Sequence, residues 1–154
     1  MTTTIVDRLT MGAVELQTRE ASNGGNGPDA VPQTVLLVDD DPDMRLYLRS
    51  CLRGLALPFD RVIEAGDGLE ALRLVRSGTV SLVISDVGLP GLDGRRLSRA
   101  IRDDAALHHV SVLLVSGDGV MGDSTADGFL SKPFNSHQLL AALAALPPRR
   151  FASP

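Results

Sequence analysis

An open parallel α/β sheet with helices on both faces is the fold this sequence predicts. Two observations carry it. Short apolar runs alternate with amphipathic segments that begin at capping residues, and the connections between them are short. Four of the five apolar runs also end in a polar or charged residue, as strands leading to a ligand edge should.

The elements follow in order. Val35–Val38 is a continuous apolar run, the signature of a strand covered on both faces. Asp41 then offers a helix cap, with Pro42 at the first helical position. Met44, Leu48, Cys51, Leu52 and Leu55 line one face of that helix, and Gly54 lies near its end. Arg61–Ala65 reads as the second strand. Asp67 caps a second helix with Glu70 at the capping-box position, Leu69, Leu72 and Val75 behind it, and Gly78 at its end. Val80–Ser85 is the third strand. Asp93 caps a third helix carrying Leu97, Ala100 and Ile101. Val110–Val115 and Phe129–Ser131 are strands four and five. Ser136–Leu146 is the last helix, with Leu139, Leu140 and Leu143 on its apolar face and two prolines beyond it.

Ahead of this region, residues 1–33 form an extension. It ends in a linker, Ser22–Pro28, whose glycines and asparagines favour flexibility. Ile5, Val6, Leu9, Ala13 and Leu16 give a weak helical period over 4–19, interrupted by Gly12. Residues 147–154 are a tail.

Composition excludes several classes. The chain has 154 residues, 44% of them apolar, enough for one ordinary domain. A net charge of −4 argues against a nucleic-acid partner. No apolar run is long enough to span a membrane, and no secretory signal is visible. Cys51 is the one cysteine, so neither an internal disulfide nor a thiolate metal cluster can form; a reducing compartment, the cytoplasm, is expected. His108, His109 and His137 are too scattered for a metal site.

The strand ends carry the chemistry. Asp39, Asp40 and Asp41 follow strand one, Asp86 follows strand three, Ser116 follows strand four and Lys132 follows strand five. Carboxylates converging on one edge repel, and at least one pKa should rise unless a cation compensates. Oxygen ligands suit a hard divalent cation, Mg²⁺ first, since it tolerates a few carboxylates and several waters. A carboxylate nucleophile, a metal, a lysine and a hydroxyl together form a site for moving a phosphoryl group onto Asp86.

Four pieces in this order, Val38–Pro42, Asp86–Gly94, Val115–Gly117 and Lys132–Phe134, resemble the receiver domain of two-component response regulators. The resemblance covers residues 34–146. It implies a five-stranded sheet of flavodoxin-like order 2-1-3-4-5. It implies that Asp86 accepts a phosphoryl group from the phosphohistidine of a sensor histidine kinase or phosphotransfer protein, and that the output is an interaction with another protein. It assigns Asp40, Asp86 and the Gly88 backbone carbonyl to Mg²⁺ (Mn²⁺ could substitute), with Asp39 helping directly or through water. Ser116 and Lys132 bind phosphoryl oxygens, Ser116 and Phe129 form a switch pair, and the Lys132–Pro133 bond is cis. Such a protein is a phosphoacceptor that promotes its own phosphorylation and dephosphorylation, not a metabolic enzyme.

One stretch departs from the family. Gly117–Gly128 holds four glycines in twelve residues where the family carries its fourth helix, so that helix should be reduced or absent. Its loss should uncover part of the sheet around Val112, Leu114 and Leu130, and so favours a homodimer through strand five, the last helix and the shortened loop, or cover by the N-terminal segment. A phosphorelay intermediate or phosphate sink is the alternative function. A haloacid-dehalogenase-type phosphohydrolase is a remote one, because Gly88 stands where those enzymes use a second Asp.

Overall fold

The computed structural model describes residues 33–55, 57, 59–119 and 125–147. The helix expected over 4–19, the linker and most of the C-terminal tail lie outside them. Five strands, β1 Thr34–Val38, β2 Arg61–Ala65, β3 Val80–Asp86, β4 Ser111–Ser116 and β5 Gly128–Ser131, form one sheet. Its order is β2-β1-β3-β4-β5, and every pairing is parallel. Four α-helices accompany it among the described residues: α1 Pro42–Gly54, α2 Gly68–Arg76, α3 Gly94–Asp103 and α4 Ser136–Ala144. A 3-10 turn, Ala105–Leu107, was not legible in the sequence.

Local chemistry explains the helix starts. Asp41, Asp67 and Asp93 each accept a backbone N–H from the first turn they precede, which removes one orphan donor per helix. The expected capping box at Asp67 is modified: the Glu70 carboxylate accepts from Gly66 N instead of closing back on the cap residue. A full capping box forms at α4, between Asn135 and Gln138.

Alternate strand residues feed two cores, which is why the strands read as unbroken apolar runs. Leu36, Val38, Val83, Val112 and Leu114 pack with α2 and α3. Val35, Leu37, Leu82, Ile84, Leu113 and Val115 pack with α1 and α4, and Cys51 is buried among them.

The described parts of the segment between β4 and β5, residues 117–119 and 125–127, are not helical. The bare sheet face expected from that loss is not there. Val112 and Leu114 are fully buried, and Ala126 and Phe129 pack against the same cluster. Leu130 is half-buried against the opposite core. Val112 and Leu114 therefore offer no exposed apolar surface to a second copy. Polar bonds hold the returning chain in place. The Arg102 guanidinium donates to the Thr125 carbonyl and the Val110 carbonyl, each at 3.0 Å, and forms an ion pair with Asp127. Thr125 Oγ1 donates to Ser98 Oγ at 3.1 Å.

Candidate functional site

β1 and β3 lie side by side at the centre of the sheet, so their carboxyl ends bring Asp39, Asp40 and Asp86 together. One carboxylate oxygen of each lies within 4.8 Å of the others. Three hard oxygen donors at this spacing could coordinate a divalent cation such as Mg²⁺, with water completing the shell. Asp39 is buried, Asp86 half-buried and Asp40 exposed, so the cluster opens to solvent on the Asp40 side.

β5 delivers Lys132. Its ammonium stands 3.0 Å from Asp86 Oδ1 and 3.3 Å from Asp39 Oδ2. Its backbone N–H donates to the Ser116 carbonyl at 2.8 Å, which ties the lysine to the end of β4. The Lys132–Pro133 bond is cis. Ser116 is buried, and its hydroxyl oxygen accepts the Asp118 N–H at 3.2 Å, leaving the hydroxyl proton for another acceptor. Gly88 adjoins the cluster: a Cβ there would stand 3.5 Å from Asp86 Oδ2. Phe129 sits earlier on β5, half-buried on the α2–α3 side of the sheet.

The Asp86 turn is held by close packing. Gly94 N donates to the Val87 carbonyl at 3.0 Å, and a Cβ on Gly94 would lie 2.2 Å from the Asp86 carbonyl oxygen. No side chain fits there, so the last glycine of the Asp86–Gly94 run is a requirement of backbone approach.

The electrostatics follow from this crowding. Burial first, then the nearby Asp86 charge, push the Asp39 carboxyl above the ordinary range, against the Asp41 N–H and Lys132, which stabilise its anion. For Lys132, burial alone would lower the pKa. The hydrogen bond to Asp86 and the charges of Asp39 and Asp86 outweigh it and raise the value. A carboxyl whose folded pKa is raised contributes stability below its unfolded pKa, about 4, and loses that contribution as pH rises through the folded value. Above its folded pKa the buried Asp39 charge is therefore a cost to the metal-free protein. Asp39→Asn should melt higher than the wild type in chelator at pH 7.5, and the two curves should converge as pH falls toward the carboxylate range. A lower melting temperature for the variant at pH 7.5 would contradict this.

Sequence reasoning missed the supports of the cluster. Arg45 donates to the Asp39 carbonyl at 2.6 Å and pairs with Glu64 at 3.0 Å; Arg49 meets the same Glu64 at 2.9 Å. Tyr47 donates its hydroxyl to the Phe134 carbonyl at 2.8 Å. No local signal marks these residues, because each partner is set by the sheet order.

Fold and cluster together define the class: a doubly wound α/β protein with an acidic cluster and a facing lysine at the carboxyl ends of its strands. The chain belongs to the response regulator receiver domain family, which matches residues 35–144. It is 33% identical over 111 residues to the chemotaxis protein CheY of Pseudomonas aeruginosa, covering 68% of this chain and 88% of that protein. It is 37% identical over 120 residues to the DNA-binding response regulator MtrA of Mycolicibacterium smegmatis, covering 76% of this chain but only 51% of that protein. Among solved structures, the receiver domain of a sensor histidine kinase from Pseudomonas aeruginosa, with magnesium coordinated in its active-site cleft, superposes with a TM-score of 0.61. The identity there is 28%, with 70% of this chain and 91% of that one covered. The family's pattern has five helices; four are present here among the described residues. None of the helices is long and apolar enough to cross a membrane, among the described residues.

Proposed function

We propose that this protein is a phosphoacceptor for a sensor histidine kinase or phosphotransfer protein, with Asp86 as the acceptor. The observation that carries the reading is the Lys132 ammonium bridging Asp86 and Asp39 beside a three-carboxylate cluster. In the reaction, an Asp86 carboxylate oxygen forms a bond to phosphorus. The phosphorus–nitrogen bond of the donor phosphohistidine breaks, and its electron pair returns to the imidazole, which takes up a proton. Asp40, Asp86 and the Gly88 carbonyl, with Asp39 directly or through water, would hold Mg²⁺. When bound, that ion offsets the charge of the carboxylates and of the phosphoryl oxygens. Lys132 then exchanges its contact with Asp86 for a phosphoryl oxygen, and the Ser116 hydroxyl donates to another. Ser116 and Phe129 are the proposed switch pair, one at the end of β4 and the other on β5. The product is a signal read by another protein, so the chain acts once per phosphorylation and is not a metabolic enzyme.

Magnesium coordination in the similar receiver domain supports the choice of ion. The purified chain, mixed with phosphorylated histidine kinases and Mg²⁺, should drain label from at least one kinase and acquire it stoichiometrically. Failure to take label from any kinase, and from acetyl phosphate as well, would refute the reading.

A further inference from the structure

Lys132 is useful only where its ammonium is, at 3.0 Å from Asp86. Its backbone is anchored upstream by its own N–H on the Ser116 carbonyl. Downstream, the anchor is a side chain from another element. Tyr47, in the middle of α1, donates its hydroxyl to the Phe134 carbonyl at 2.8 Å, and the two rings pack at 5.7 Å between centroids with a tilt of 53°. Phe134 is itself buried in the core shared by α1 and α4, so the turn Lys132–Phe134 is clamped from its outer side onto its inner one. Tyr47 is 41% exposed, more than a ring kept only for core packing would be. A phenol at this place gives the Phe134 carbonyl a donor fixed to α1. α1 starts next to Asp40 and Asp41, so one helix sets both the acidic side of the site and, through Tyr47, the turn that bears the lysine.

We infer that Tyr47 is a positioning residue for phosphoryl transfer, acting on Lys132 through the Lys132–Phe134 turn. The inference rests on the phosphoacceptor reading given above. Tyr47 touches no reacting atom, and it touches none of the carboxylates proposed to hold the metal.

Tyr47→Phe is the test, because it keeps the ring contact and removes only the hydroxyl. Three quantities are measured on the full chain: the rate of phosphorylation by acetyl phosphate at saturating Mg²⁺, the affinity for beryllofluoride, and the affinity for Mg²⁺ alone. The rate and the beryllofluoride affinity should each fall roughly three- to tenfold, the factor that one neutral hydrogen bond commands. The Mg²⁺ affinity should stay unchanged. In a Lys132→Ala background, followed over longer incubation, adding Tyr47→Phe should change the residual rate by less than about twofold. An unchanged rate in Tyr47→Phe would overturn the inference. So would a parallel fall in Mg²⁺ affinity, which means general loosening, or an undiminished effect without the lysine. These results leave the phosphoacceptor reading intact. A wild type that takes neither phosphoryl group nor beryllofluoride overturns that reading, and this inference with it.

Discussion

Asp86→Asn is expected to abolish phosphoryl incorporation. Wild-type protein with acetyl phosphate and Mg²⁺ should gain one phosphoryl group by intact mass, and the variant none. The substitution is nearly isosteric. Its amide oxygen can still accept from the Lys132 ammonium, which sits 3.0 Å from Asp86 Oδ1 in the native site. The turn, fixed by Gly94 against the Asp86 carbonyl, has no reason to move. What disappears is the anionic oxygen that attacks phosphorus, so the loss is in chemistry and not in folding. One of the three carboxylates near the candidate cation position is lost too, so Mg²⁺ should bind more weakly. Asp39 and Asp40 remain in the variant, and either could in principle be modified. Incorporation at the wild-type level in Asp86→Asn would therefore move the acceptor to a neighbour and defeat the assignment.

Asp127→Ala is expected to destabilise the fold by about 3–5 kcal/mol, the usual cost of removing one member of a buried ion pair. The Asp127 side chain is 4% exposed and that of Arg102 is 16% exposed. The same carboxylate oxygen also accepts the Val112 N–H at 2.7 Å. Removal takes that acceptor from the Val112 N–H and from a half-buried guanidinium, which keeps only the Thr125 and Val110 carbonyls among the partners named above. The lost contact is also the one that holds the end of the β4–β5 segment against α3, where the family's pattern has a helix. Urea unfolding of the variant beside Arg96→Ala gives the comparison. Arg96 pairs with Asp93 only at 3.7 Å and is 70% exposed, so its removal should cost less than about 0.5 kcal/mol. A loss below about 1 kcal/mol for Asp127→Ala would mean that the pair is incidental and that the remaining contacts, among them Thr125 on Ser98 and Arg102 on the Thr125 carbonyl, secure the segment.

Much of the molecule is written locally. Apolar runs of the right length specify strands buried on both faces, and Asp41, Asp67, Asp93 and Asn135 supply the oxygen acceptors that helix starts lack. The placement of Asp39, Asp40, Asp86, Ser116 and Lys132 at or just beyond the carboxyl ends of strands was also legible, since parallel strands all deliver those ends to one edge. That is how residues 93 positions apart, Asp39 and Lys132, could be expected to meet. Tertiary structure decided the rest. Arg45 on the Asp39 carbonyl, Tyr47 on the Phe134 carbonyl and Arg102 on the returning chain are contacts between elements whose distance depends on sheet order and helix docking, which no period of 2 or 3.6 encodes. The same reason explains why the expected bare sheet face did not appear. Counting glycines between β4 and β5 argued against a helix, and none is present among the described residues, but the count could not show that Val112 and Leu114 would be buried all the same. Both are buried in a cluster that takes in α2 and α3 side chains and against which Ala126 and Phe129 pack, and the neighbouring Asp127 pairs with Arg102, 25 residues away in the chain.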